Sequence, residues 1–184
     1  SHNPFSKIYN NGKTLSSIFG SWPHDKIAQL YFSDESPDTS VCSSFFRITD
    51  ADLLSIGAAK QGRKIFTSSF REDNCGMRSR VLSSLRRYRT LPFLNFCRNM
   101  LWTSGRWRTS KLKEWLDEVN PEVAFLMGGG VYFPYRIARR ISIEYSAPLF
   151  FYFTDDYLGT IKTLDPFWWI NWFWLRIEVR RALP

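Results

Sequence analysis

Apolar side chains in this chain of 184 residues arrive as short unbroken runs, set between longer stretches with helical spacing. AFLM, within EVAFLMGGG (122–130), and LFFYF, within APLFFYFTDDY, lack the alternation of a half-exposed strand. That is the pattern of parallel strands buried on both faces. Between them, YFPYRIARRISIEYS has the spacing of a helix of about four turns. Strand, glycine turn, helix and strand form a βαβ unit, the building block of parallel sheets covered by helices.

Upstream, KIAQLYF (26–32) and SFFRIT (44–49) read as two more strands. DADLLSIGAAK reads as a helix with Asp50 as its N-cap. MRSRVLSSLRRYRT and PFLNFCRNMLW read as helices parted at Pro92, and SKLKEWLDEV as a helix closed by NPE. Near the start, Asn11-Gly12 reads as a loop turning into a first crossover helix, KTLSSIFGSW. A parallel sheet wants a strand before that loop, so the first strand is expected upstream of Ser1, unless SHNPF is its stub. The expected fold is α/β, a Rossmann-like open parallel sheet flanked by helices, in a single domain over residues 1–184.

The net charge of +8 is uneven. Residues 60–113 hold 14 Lys and Arg against Glu72 and Asp73, a net +12, which leaves −4 for the other 130 residues. One basic, largely helical block therefore asks for a partner. Three cysteines, Cys42, Cys75 and Cys97, without a C-x-x-C spacing, suit a reducing compartment better than a disulfide framework. No apolar run reaches the roughly 18 residues of a bilayer span.

Gly12-Lys13-Thr14 looks like the tail of a phosphate-binding P-loop, but its first glycine would have to stand at Lys7. Ligands of open α/β sheets bind outside the carboxyl ends of the strands. Three loops qualify there: NPFSKIYNNGK, MGGGVYF and TDDYLG. Gly128, Gly129 and Gly130 allow close backbone approach and open a helix whose amides attract anions, or else make only a sharp turn. Asp155 and Asp156 end a strand where packing needs no charge, so one is expected to enter a cleft as a general base or hydroxyl ligand, with helix capping as the plain alternative. His2 and His24 lack partners at metal-ligand spacing, and no metal is expected.

DPFWWINWFWLRIEVRR (165–181) reads as a helix with Asp165 as N-cap and Pro166 at the first position. Aromatics lie all round it, so it packs against another domain, lies in a membrane interface or sits deep in the core. The basic block suits an anionic lipid surface equally, where each Lys or Arg contributes about 1 kcal/mol. RNA is a weaker match, because no RNA-recognition motif is present.

NPFSKIYNNGKTLSSIF, LKEWLDEVNPEVAFLMGG and APLFFYFTDDY together resemble the N-terminal half of family-four-like retaining glycosyltransferases of the two-Rossmann-domain, GT-B architecture. The resemblance covers most of the chain, with the basic block a looser match. It implies an acceptor-binding half, a second domain beyond Pro184 for a UDP- or GDP-sugar donor, and transfer to a glycan or lipid-linked acceptor in cell-surface polysaccharide synthesis. Taken with the composition of the basic block and the aromatic helix, the expected location is cytoplasmic, with peripheral membrane contact through 60–113 and 165–181. Donor or substrate contacts would fall on Asn11, Gly12, Lys13, Gly128, Gly129, Gly130, Tyr132 and Thr154, and catalysis on Asp155 or Asp156. Many members carry a His where this chain has its glycine run, and His-Asp where it has Thr154-Asp155. The alternatives are a non-enzymatic Rossmann-like module binding membrane or nucleic acid, and another nucleotide-dependent α/β enzyme.

Overall fold

A computed structural model describes residues 1–8, 10–54, 62–65, 91–159 and 163–183. In chain order the elements are α1 (Asn10–Phe19), β1 (Ala28–Tyr31), β2 (Ser44–Arg47), α2 (Asp50–Leu54), β3 (Arg63–Ile65), α3 (Pro92–Thr103), α4 (Ser110–Val119), β4 (Ala124–Met127), α5 (Phe133–Glu144), β5 (Leu149–Tyr152) and α6 (Pro166–Ala182). The class is mixed α/β with small parallel sheets. The chain divides into two compact units, Ser1–Asp73 with Trp107–Asn120, and Asn74–Arg106 with Pro121–Pro184. The helix expected over MRSRVLSSLRRYRT lies outside the described residues, as does the end of DADLLSIGAAK.

In the first unit β1 and β2 pair in parallel from Ala28↔Ser44 to Tyr31↔Arg47, and β3 runs antiparallel to β2. The described strands thus form one three-stranded mixed sheet and one two-stranded sheet, where the sequence suggests a single parallel one. The SHNPF segment lies against β1: Phe32 N donates to His2 O at 3.1 Å, and Phe5 N to the Gln29 side-chain oxygen at 2.9 Å. Phe5, Tyr31 and Phe45 meet edge to face in the core. Helix α4 presents Leu112, Trp115 and Leu116, spaced i, i+3 and i+4, as its buried stripe. Its Trp115 ring packs on Phe46 and donates to Ser44 Oγ at 2.9 Å. Thr109 caps its start, and Asn120, at φ 43, closes it in the left-handed region.

Helix α2 is capped one residue earlier than the sequence suggests. Asp52 Oδ2 accepts from Thr49 N and from Thr49 Oγ1, both at 2.8 Å, while Asp52 N donates back to Thr49 Oγ1 at 3.3 Å. This reciprocal box makes Thr49 the cap and leaves Asp50 inside the first turn.

In the second unit, β4, α5 and β5 make the expected βαβ unit, with parallel pairing from Ala124↔Leu149 to Met127↔Tyr152. Trp102 of α3 stacks on Phe133 of α5 at 4.3 Å, and α6 packs on both helices. Leu126, Tyr132, Tyr135, Leu175 and Val179 form the core cluster. Strand β5 is not buried on both faces: Phe150 and Tyr152 are 56% and 41% exposed, so its apolar run conceals an alternation. The aromatic helix begins as expected, with Asp165 Oδ1 accepting from Phe167 N at 2.8 Å and Trp168 N at 3.2 Å.

Gly12 seats α1 against the N-terminal segment, where an added Cβ would fall 2.4 Å from Pro4 O and 2.9 Å from Ser6 N. Both obstacles are backbone and cannot swing aside. Gly12→Ala is expected to cost about 2 kcal/mol of stability, read as a lower urea midpoint at unchanged slope.

Candidate functional site

The carboxyl edge of the βαβ unit brings two of the three candidate loops together. Gly128 N donates to Tyr152 O at 2.8 Å, which extends the ladder past β4. A Cβ on Gly128 would stand 2.7 Å from the Tyr135 hydroxyl and 2.8 Å from the Phe153 ring, so only glycine fits there. A Cβ on Gly130 would reach Tyr157 at an ordinary 3.5 Å, which places the glycine turn beside the loop that carries the two aspartates. Gly129 faces open space.

The turn is held from below by Tyr135. Its hydroxyl accepts from Gly129 N at 2.9 Å and donates to Gly129 O at 3.0 Å. The Gly129 amide is therefore already engaged by protein, and does not offer itself to an anion. Burial raises the Tyr135 phenol to about 12, against the opposing pull of the Gly129 hydrogen bond. Tyr132, expected at the ligand, is 4% exposed and belongs to the core. Its phenol is raised by burial, with the Thr103 hydrogen bond opposing.

Asp155 and Asp156 have different tasks, although both are exposed. Asp156 Oδ1 accepts from Leu158 N at 3.1 Å and Gly159 N at 2.8 Å, so this carboxylate closes the turn after β5. Asp155 Oδ2 accepts from the Tyr157 hydroxyl at 2.8 Å and from Thr154 Oγ1 at 3.3 Å. Its Oδ1 has no hydrogen-bond partner among the described residues. Tyr157 feels the Thr154 bond, which lowers its pKa, and burial together with the Asp155 bond and charge, which raise it; the net shift is upward. The result is a carboxylate fixed through one oxygen and open at the other.

Helix α6 braces the same loop. Trp172 Nε1 donates to Leu158 O and Gly159 O, each at 3.2 Å. Tyr135, Tyr157 and Trp172 are absent from the residues that the sequence singles out. The glycine run offers a signal for Tyr135, since an aromatic one turn into the following helix lies back under its own start.

Asn11, Gly12 and Lys13 occupy the first turn of α1 in the first unit, with Lys13 exposed and Gly12 buried. Part of the basic block is tied down: Lys64 pairs with Glu118, Lys113 with Asp117 at 3.0 Å, and Arg98 lies over Phe133 at 5.0 Å. Cys42 is buried and raised to about 11 by desolvation, whereas Cys97 is exposed and Cys75 lies outside the described residues.

Two outcomes follow from this packing. Gly128→Ala is expected to lose about 1–3 kcal/mol, and Gly129→Ala to stay within about 0.5 kcal/mol of the parent, in paired denaturant melts. The second concerns pH. A folded-state value above the ordinary 10.0 of tyrosine means that folding favours the neutral Tyr135 phenol. That stability is complete below pH 10 and is lost as pH rises through about 12. Melts across this window should show the loss, and Tyr135→Phe should remove only the Tyr135 share of it, leaving the shares of Cys42, Tyr31 and Tyr132.

Compared with protein-family models, curated proteins and solved structures, the chain has no match; the case for its function rests on the edge of this βαβ unit.

Proposed function

We propose that this chain is the acceptor-side domain of a GT-B glycosyltransferase, moving a sugar from a UDP- or GDP-sugar to a glycan or lipid-linked acceptor. The observation that carries the reading is Asp155. It stands at the carboxyl edge of a βαβ unit, beside a glycine turn, with one oxygen held by Tyr157 and Thr154 and the other open. A carboxylate held in this way suits a hydroxyl nucleophile. The acceptor O–H donates to Oδ1, which aims the oxygen at the anomeric carbon. As the glycosidic bond forms and the bond from sugar to diphosphate breaks, the proton passes to the carboxylate and the negative charge leaves with the nucleotide.

Asp156 takes no part in the chemistry, because its carboxylate is committed to two backbone amides. Gly128 and Tyr135 act by holding the turn in place.

The test is sugar transfer by the natural polypeptide in full, screened across nucleotide sugars. Asp155→Asn keeps the hydrogen-bonded shape but removes the base, and turnover should fall about a hundredfold or more with the melting curve unchanged. Asp156→Ala should instead lower stability by about 1 kcal/mol, as loss of a capping side chain does. Wild-type turnover from Asp155→Asn would remove the assignment.

A further inference from the structure

Helix α6 is turned the opposite way from a helix at a water-facing surface. Its buried side carries Asn171, Leu175, Glu178 and Val179, spaced over two turns. Its outward side carries Trp169, Ile170, Phe173 and Trp174, each between 38% and 56% exposed. The polar side chains inside are engaged, although Glu178 Oε2 and Asn99 Oδ1 accept no hydrogen bond among the described residues. Asn99 Nδ2 donates to Asn171 Oδ1 at 3.1 Å, Asn171 Nδ2 to Pro92 O at 2.9 Å, and Glu178 pairs with Arg181 at 3.6 Å. The inward side is therefore fixed, and the aromatic side cannot rotate under.

The outward apolar surface continues past the helix. Leu164, just before the cap, is fully exposed, and half-exposed Phe93 of α3 meets Phe167 at 4.9 Å. Toward the other end the surface turns cationic, with Arg176, Arg180 and Arg181. The only acid on α6 is Glu178, which is 2% exposed and pairs with Arg181, so on this helix Arg176 and Arg180 have no acid to offset them. A recess of about 300 Å³ lies where the two characters meet, lined by Trp172, Phe173, Arg176, Ile177 and Arg180.

We propose that this face of α6 seats the protein on an anionic lipid surface. A bilayer interface satisfies both ends of the face: aromatic rings lie at headgroup depth, and guanidinium groups meet lipid phosphates. A second copy docking through the same face would have to supply acids to meet Arg176 and Arg180, and α6 exposes none. The helix lies in the plane of the surface, since no helix among the described residues is long and apolar enough to cross a membrane. The recess takes a phosphate between Arg176 and Arg180, with the start of an acyl chain against Phe173 and Ile177. This inference stands apart from the glycosyltransferase reading and requires no sugar chemistry.

The test is co-sedimentation of the whole polypeptide with phosphatidylcholine vesicles, with and without phosphatidylglycerol. Binding should need the anionic lipid. Arg180→Gln should weaken it about fivefold, the share of one cation near such a surface. Phe173→Gln should weaken it about tenfold through lost apolar burial. Both positions face outward, so melting curves should stay at the parent value. Raised salt should weaken the parent strongly and the arginine variant less. Three results would overturn the proposal: no partition onto anionic vesicles, binding by both variants at the parent level, or a concentration-dependent dimer that Phe173→Gln dissolves.

Discussion

Much of the second unit depends on a single phenol. Tyr135 comes from the first turn of α5, stacks on Phe151 and Phe153 of the β5 segment, and exchanges two hydrogen bonds with Gly129 after β4. All three parts of the βαβ unit therefore converge on one ring. The hydroxyl is buried, and a buried hydroxyl without partners costs more than its hydrogen bonds contribute. The glycine run is the consequence. Gly128 must lack a Cβ for the hydroxyl to reach the turn, and Gly129 must present both its amide and its carbonyl to it. What reads as an anion cradle in sequence is, at Gly128 and Gly129, the counterpart of a tyrosine.

Much of this architecture was legible because it rests on local rules. Unbroken apolar runs mark β4 and β5, Pro92 and Asp165-Pro166 mark helix starts, and the spacing of Leu112, Trp115 and Leu116 marks α4. What escaped was set by tertiary contacts. Strand β3, Arg63–Ile65, has no apolar run and exists through its pairing with β2. Tyr132 and Tyr135 flank the same turn, and composition does not separate them. Helix geometry does, because side chains tilt toward the N-terminus and the later residue lies back beneath the turn. The sequence suggests that neighbouring Asp155 and Asp156 differ because strand residues alternate. They differ instead because the chain turns there and consumes one carboxylate as its closure.

Helix α6 was hardest to read for a related reason. With aromatics all round, no periodic stripe tells which side is buried. The choice falls to polar groups: an Asn in the core is tolerable only where its amide is satisfied, and Asn171 finds both a donor in Asn99 and an acceptor in Pro92 O. That pairing sets the rotation of the helix. The aromatics left outside follow from it, and are not an independent feature of the surface.

The same rotation joins the two proposed roles. Trp172 lies between the inward and outward sides of α6. Its indole N–H holds the Leu158 and Gly159 carbonyls of the loop that Asp156 closes, while Arg176 rests on its ring at 4.5 Å. One tryptophan is thus held on its edge by the loop that follows the two aspartates and covered on its face by an arginine of the exposed side of α6.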